Sequence, residues 1–422
     1  MDIKKLISEL EACPCGRVHT ADIKAVEIGH GMLARVGEIL DSNAFPKNIL
    51  VVADQNTLRA ADGILEILKA SGFLCKTYVF ENFREPNVEF VELIEKECSD
   101  VLGILSVGTG SLNDICRRAA LLCDKEFAIF ATAPSMDGFA SGTAPIIENN
   151  IKSTLPARQP SIIIADTEIL ARSPAHLKAA GFGDIIGKLT ALTDWRIANL
   201  LIGEYYCENI ASLVRDALKR ICSMADRVTD NDEETAGAIM EILVMTGIAM
   251  KLAEVSRPAS GSEHMVSHFW GMKKLEDGCL ADYHGKKVGV ATLLLTRHYH
   301  KLCAKKDIAF TEDSVDWNAV YSAYGEKFTS YVKEMNQNSM VERLTPDLLE
   351  RSWDGVRKIV AEELPSDEEL ERILISAGAA TVCDEIDVDG SLEKLGILYH
   401  PYMRGKITLS RLVPMTNFKY FE

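Results

Sequence analysis

Val101-Leu-Gly-Ile-Leu-Ser-Val107 runs directly into Gly108-Thr-Gly-Ser-Leu-Asn-Asp114. An apolar run of strand length fits a strand buried on both faces, as in a parallel sheet. Gly108 and Gly110 allow a sharp turn with no Cβ between the backbone and a ligand. A helix beginning near Ser111 would aim free backbone N–H groups at an anion. These are the physical requirements for holding a pyrophosphate. The stretch is not the six-position Gly-x-Gly-x-x-Gly form, and it follows the third strand counted from Asn48 rather than the first. A purely structural glycine turn is the plain alternative.

The same texture extends in both directions. Upstream, Lys24–Ile28 alternates like a short strand and turns at Gly29-His-Gly31 into a helix, Met32–Leu40. Asn48–Ala53 is a second continuous apolar run. It ends at Asp54-Gln-Asn-Thr57, and a helix follows to about Ser71. Cys75–Phe80 predicts another strand and Val88–Cys98 another helix. Downstream, Phe127–Phe130 leads into Ala131-Thr-Ala-Pro-Ser-Met-Asp-Gly-Phe-Ala-Ser-Gly142. The hydroxyls of Thr132, Ser135 and Ser141 suit phosphate or ribose oxygens, with a long surface turn as the alternative. Ser161–Ala165 predicts the last strand. Strand and helix alternating at this pitch imply an open α/β sheet.

From about Pro174 the pattern changes to 3.6-residue periodicity: Ile185–Ile202, Ile210–Ala225, Glu233–Val255 and Lys287–Cys303. The expected organisation is an α/β domain over 1–170 followed by an all-helical domain over 171–422. A cleft between the two would set the glycine-rich loops against the helical half, and domain interfaces favour small-molecule sites.

Composition narrows the function classes. At 422 residues the chain exceeds one compact core. A formal charge of −16 with no long basic run argues against nucleic acid. Met1-Asp-Ile-Lys-Lys-Leu-Ile lacks a signal-peptide apolar core, and no uninterrupted apolar run spans a bilayer. The most apolar segment, Ala238–Val255, carries Glu241 and Lys251 and is expected as a buried helix. Eleven scattered cysteines imply reduced thiols, and with them a cytoplasmic chain. Cys13-Pro-Cys15-Gly-Arg-Val-His19 resembles a metal knuckle but has no second Cys/His pair nearby, so no metal is assigned to it.

The helical half carries the chemistry-bearing pattern Gly261-Ser-Glu-His-Met-Val-Ser-His268. His264 and His268 are four apart, on one helix face. The zinc-protease pattern fails, because it needs Glu where Met265 stands. With Asp184, in Gly181-Phe-Gly-Asp-Ile-Ile-Gly-Lys188, and His284, in Asp282-Tyr-His-Gly-Lys286, the pair could supply a carboxylate and two imidazoles to one divalent cation. Three protein ligands leave positions open for substrate, as catalytic sites require. The alternatives are ordinary. Nine histidines make chance pairs common, and Asp184 suits a helix N-cap with Lys188 as an i,i+4 partner.

Gly108–Asp114, Thr132–Ser141, Gly183–Lys188, Gly261–His268 and His284-Gly285, in this order, resemble the sn-glycerol-1-phosphate dehydrogenases. That family belongs to the superfamily of dehydroquinate synthases and iron-containing alcohol dehydrogenases. The resemblance spans about residues 24–300. It implies a dinucleotide-binding α/β domain, a helical metal- and substrate-binding domain, and NAD(P)H-linked reduction of dihydroxyacetone phosphate to sn-glycerol 1-phosphate. It implies a divalent metal, zinc first with nickel or iron as alternatives, held by Asp184, His264 and His284. His268 would touch substrate and, with Asp184, serve catalysis; it or a water on the cation would relay the proton. Asp137 would bind substrate. Gly110, Ser111, Leu112, Asn113, Asp114, Thr132, Ala133, Pro134, Ser135 and Ser141 would bind the dinucleotide, with Asp54 at the adenosine ribose favouring NAD over NADP. The family's first loop often reads Gly-Gly-Gly. Thr109 interrupts it here and fits if its φ is negative. A homo-oligomer is also implied. The rival readings are a dehydroquinate synthase-like cyclase or lyase, a glycerol (polyol) dehydrogenase, and a non-enzymatic protein with a structural metal.

Overall fold

The computed structural model describes residues 5, 8, 10, 13–81, 83–149 and 151–421. Six parallel strands form the central sheet: β1 (Ala25–Gly29), β2 (Asn48–Asp54), β3 (Leu74–Phe80), β4 (Gly103–Gly108), β5 (Glu126–Ala131) and, after a hairpin, β8 (Ile162–Asp166). Their order across the sheet is β1-β8-β5-β4-β2-β3. The run Ile49–Ala53 is wholly buried because alternate residues enter different cores. Ile49, Val51 and Ala53 pack with Val36 and Leu40 of α1 (Met32–Ser42) and Ile64 and Leu68 of α3 (Ile64–Ala70), which follows the short α2 (Gln55–Ala60). Leu50 and Val52 pack with Val91 and Ile94 of α4 (Val88–Glu97) and Ile115 of α5 (Gly110–Leu122). A strand covered on both faces needs no polar side, which is why these runs do not alternate.

Strand order reverses between β2 and β4. The chain moves outward from β2 to β3, then returns to β4 on the other side of β2. Asp54 and Gly108 therefore end neighbouring strands at a topological switch point, where open α/β sheets bind ligands. The sequence did not anticipate an antiparallel hairpin, β6 (Thr143–Glu148) and β7 (Ile151–Pro156), with Asn149 in the left-handed region at φ 51°.

After β8 every named element is helical. The first are α6 (Thr167–Arg172), α7 (Ala175–Ile186), α8 (Lys188–Ile202), α9 (Glu208–Cys222), α10 (Glu233–Ala253), α11 (Ser262–Glu276) and α12 (His284–Ala304). The single helix expected over Ile185–Ile202 is instead two, meeting at Gly187. Asp184 is thus near the end of α7 and caps no helix start. Among the described residues α10 alone is long and apolar enough to cross a membrane, but 78% of that window is buried within the chain, as a core helix would be. Residues 13–19 lie against the helical half rather than the sheet. The Arg17 guanidinium donates to the Ala253 carbonyl at 2.8 Å, and His19 Nδ1 meets the Leu252 carbonyl at 2.7 Å.

Candidate active site

Two glycine-lined contacts assemble the site. α7 and α12 cross so closely that a Cβ on Gly183 would lie 2.6 Å from the Gly285 carbonyl oxygen, and one on Gly285 would lie 1.9 Å from that of Ala180. Any larger side chain would force the helices apart. This contact sets His284, the first residue of α12, against Asp184. On the other side of α7, a Cβ on Gly181 would lie 1.9 Å from the Pro134 carbonyl oxygen. The segment after β5 is held there, with Thr132, Ala133, Pro134 and Ser135 all buried. It is an internal strap, not the surface turn considered as its alternative.

α11 brings His264. Its Nε2 is 3.5 Å from Asp184 Oδ1, and His284 Nε2 is 4.0 Å from Asp184 Oδ2. One donor atom from each of Asp184, His264 and His284 lies within 4.8 Å of the others. Cation–ligand bonds of about 2.0–2.2 Å suit such a set of one oxygen and two nitrogens, and three protein ligands are the number that leaves coordination positions open. His268, one turn further along α11, completes a ring of imidazoles, its centroid 6.2 Å from His264 and 5.6 Å from His284. Partial desolvation, then the neighbouring imidazoles, hold His268 and His284 well below the usual histidine value and so neutral, although the His268 side chain reaches solvent and His284 is only half-buried.

The supporting groups explain why the donors hold their orientation. Glu263 Oε1 accepts from His264 Nδ1 at 2.7 Å, which turns Nε2 toward Asp184. Glu263 is itself fully buried and accepts from the Gly261 N–H at 2.8 Å and the Thr190 hydroxyl at 2.6 Å. Burial pushes its carboxyl up, but His264, Thr190 and Gly261 outweigh this and keep it ionised. Asp194 accepts from the Ser262 N–H at 2.9 Å, fixing the start of α11.

Lys188 is the principal residue that sequence reasoning undervalued. It was read as an ordinary helical partner of Asp184. Its ammonium lies 2.9 Å from Asp184 Oδ1 and 2.5 Å from Asp137 Oδ2, across the break at Gly187 and with no exposure to solvent. Burial lowers its proton affinity, but the two carboxylates more than reverse this and keep it charged. The Asp137 N–H donates to Asp184 Oδ2 at 3.0 Å, so Asp137 joins the strap to Asp184 through its backbone and, by way of Lys188, through its side chain. The only sequence signal was a lysine in an otherwise apolar, glycine-flanked segment.

The glycine-rich loop at 108–110 meets this centre through the same strap. Thr109 has φ −146°, the negative value its place in the loop requires, and its hydroxyl lies 2.7 Å from that of Ser135. Gly110 takes φ 41°, and a Cβ there would meet nothing within 4 Å. No side chain caps the first turn of α5, so its N–H groups suit an anion. Further along α5 the side chains have partners within the chain. Leu112 is in the core, Asn113 accepts from the Ser106 hydroxyl at 2.7 Å, and Asp114 is buried beside Arg117. Burial, partly offset by Arg117, pushes the Asp114 carboxyl up to about 6. Arg117, which the sequence reading missed, is fully buried and donates to the Gly138 and Ser141 carbonyls, tying α5 to the strap. The Ser141 hydroxyl bonds locally to Thr143. Asp54 caps α2, its Oδ1 accepting from the N–H groups of Asn56 at 2.7 Å and Thr57 at 2.9 Å. One carboxylate oxygen is therefore committed to the cap.

Comparison with known proteins agrees with this geometry. Residues 27–174 match the family model described as iron-containing alcohol dehydrogenase. The NADH-dependent butanol dehydrogenase A of Thermotoga maritima superposes with a TM-score of 0.61 at 14% identity, over 94% of this chain and 93% of that one. The fold is that of the iron-containing alcohol dehydrogenases. The glycerol-1-phosphate dehydrogenase [NAD(P)+] of Halalkalibacterium halodurans is 30% identical over 349 residues, 81% of this chain and 86% of that protein. The Bacillus subtilis protein of the same name is 37% identical over 316 residues, 72% of this chain and 79% of that one. The chain belongs to the glycerol-1-phosphate dehydrogenase family.

Proposed function

We propose that the chain reduces dihydroxyacetone phosphate to sn-glycerol 1-phosphate with NADH or NADPH, reversibly, at a centre where Asp184, His264 and His284 hold one divalent cation. The observation that carries this reading is the strap from Thr132 to Asp137. It runs from the glycine-rich loop, at Thr109–Ser135, to the donor set, at Asp137–Asp184. Dinucleotide and ketone would thus meet at the junction of an α/β part, 1–170, and a helical part, 171–422.

The hydride chemistry belongs to the nicotinamide. A cation in this site, zinc or else nickel or iron, would act as a Lewis acid on the ketone oxygen. The residues of the chain do the rest. Gly110, Ser111 and the start of α5 receive the pyrophosphate, with Thr132 and Ser135 along its path. The free oxygen of Asp54 is available to the adenosine ribose. Lys188 holds Asp137 and Asp184 at a fixed separation. His268 is the proton relay: a neutral imidazole both donates and accepts, so it can deliver a proton to the new hydroxyl oxygen and retrieve it in reverse.

Lys152, Lys287 and Arg404 provide positive charge for the phosphate, a role the sequence left without a residue. Each acts electrostatically on His268 or His284. Burial, followed by repulsion from Lys152, presses the Lys287 ammonium down to about 7, a condition that a phosphate dianion would relieve. A homo-oligomeric state accompanies the reading.

The test is NADH oxidation by metal-reconstituted protein with dihydroxyacetone phosphate, run beside glycerol with NAD. Turnover confined to the phosphorylated ketone and lost on chelation is expected. Activity with glycerol alone would overturn the substrate assignment and leave a polyol dehydrogenase.

A further inference from the structure

The segment Cys13–His19 acquires in the fold the partner that its own neighbourhood lacks. Cys207, the residue that precedes α9, comes up beside it from 194 positions away, its Sγ 3.5 Å from Cys13 Sγ. Cys15 Sγ is 3.2 Å from His19 Nε2, and Cys207 Sγ is 3.9 Å from the same nitrogen. All four donor atoms lie within 4.8 Å of one another. A tetrahedral zinc ion, with Zn–S about 2.3 Å and Zn–N about 2.0–2.1 Å, requires S···S near ~3.8 Å and S···N near ~3.6 Å. The two S···N distances bracket the second value, and the Cys13–Cys207 distance falls a few tenths of an ångström short of the first.

The surroundings suit a cation rather than four idle side chains. His19 is buried, and its Nδ1 is directed at the Leu252 carbonyl at 2.7 Å, which assigns the proton to Nδ1 and leaves Nε2 as a bare acceptor facing the sulfurs. Asn209 Nδ2 donates to Cys13 Sγ at 3.4 Å, and the Tyr205 hydroxyl lies 3.5 Å from Cys15 Sγ. Both are donors of the kind that stabilise thiolates. Three thiolates and one divalent ion carry a net negative charge, and the Arg17 guanidinium stands beside them, 3.6 Å over the Tyr205 ring. A sulfur–sulfur bond, at about 2.05 Å, is not formed: all eleven cysteines are free.

We propose that Cys13, Cys15, His19 and Cys207 bind a second divalent cation, zinc by its preference for sulfur and imidazole, in a closed four-ligand site that staples residues 13–19 to α9 and the end of α10. With four protein donors no position remains for substrate, so the role is structural. Binding would release the thiol protons to solvent, with no change in oxidation state.

The experiment uses the full chain, reduced and loaded with cobalt(II). Only a thiolate-bound ion gives an intense sulfur-to-cobalt charge-transfer band, and the Asp184 centre contains no sulfur. One such chromophore per chain is expected, lost in Cys207→Ser. Because that variant could fail to fold, the wild-type chain is also alkylated with and without zinc and mapped by mass spectrometry. Zinc should slow labelling of Cys13, Cys15 and Cys207 at least tenfold while leaving the exposed Cys279 unchanged. Absence of the band together with zinc-independent labelling would overturn the proposal, as would recovery of a Cys13–Cys207 disulfide from the chain as isolated.

Discussion

The two donor clusters of this chain are built on opposite plans. Asp184, His264 and His284 supply one oxygen and two nitrogens from three helices, deep between packed α7 and α12. Cys13, Cys15, His19 and Cys207 supply three sulfurs and one nitrogen, with three of the four on a single short segment. The first set is open in coordination and supported by charge: Lys188 on Asp184, Glu263 on His264. The second would be complete in coordination with its four donors, and is supported mainly by neutral donors and a backbone carbonyl. Ligand number separates a place for chemistry from a place for fastening, and donor softness separates the ions that each prefers.

The largest effect should come from removing a donor of the open centre. Asp184→Asn or His264→Ala should lower kcat/KM for dihydroxyacetone phosphate by at least about 10³-fold, roughly 4 kcal/mol of transition-state stabilisation. The cobalt–thiolate band should be unaffected. A variant of this kind that kept full activity would remove the catalytic half of the comparison.

Next is Lys188→Met, which leaves two buried carboxylates without their cation. Loss of one member of a buried ion pair costs about 3–5 kcal/mol. Urea denaturation should show a fall of that order, and a metal-free protein as stable as wild type would mean that the Lys188 ties contribute nothing to holding the site.

Glu263→Gln sharpens the contrast in how the two clusters are supported. The amide keeps the shape but loses the charge facing His264 Nδ1. Affinity of the active centre for its ion should weaken about 10–100-fold, read as activity against buffered free metal, with folding intact. Unchanged affinity would show that the packing around His264 suffices to orient it.

The smallest effect concerns the dinucleotide loop. Thr109 already has an extended backbone, so Thr109→Gly relieves no strain and removes the hydroxyl contact to Ser135. Loss of one neutral hydrogen bond is worth about 0.5–1.5 kcal/mol, so the Kd for NADH should rise by no more than about tenfold. Tighter binding would mean that the glycine-only loop is the better fit and that the Thr109–Ser135 contact works against the cofactor.

Much of this was legible before folding. The apolar runs at Asn48–Ala53 and Val101–Val107 read as doubly covered strands because such strands have no polar face to display. The shift to 3.6-residue periodicity after Pro174 marked the helical half. Asp184, His264 and His284 were suggested by residue type and selected by family resemblance, and the fold brings their donor atoms together. The misreadings share a cause. Asp184 looked like a cap because a carboxylate after glycine has that local preference, whereas the real helix start lies at Ala175. The loop at 131–142 looked like a surface turn because it is small and polar. Its first half, 131–135, is buried because Gly181 lets α7 approach the Pro134 backbone.

Local sequence thus determined which segments are strands and helices and which residue types are available for chemistry, since periodic burial is imposed within a few residues of chain. It could not determine that Lys188 would reach Asp137, that Arg117 would gather the carbonyls of the strap, or that Cys207 would arrive beside Cys13. Those pairings depend on how closely whole helices approach. That closeness is set by the absence of side chains at Gly181, Gly183 and Gly285 and by close packing over long separations in sequence, which only the tertiary structure decides.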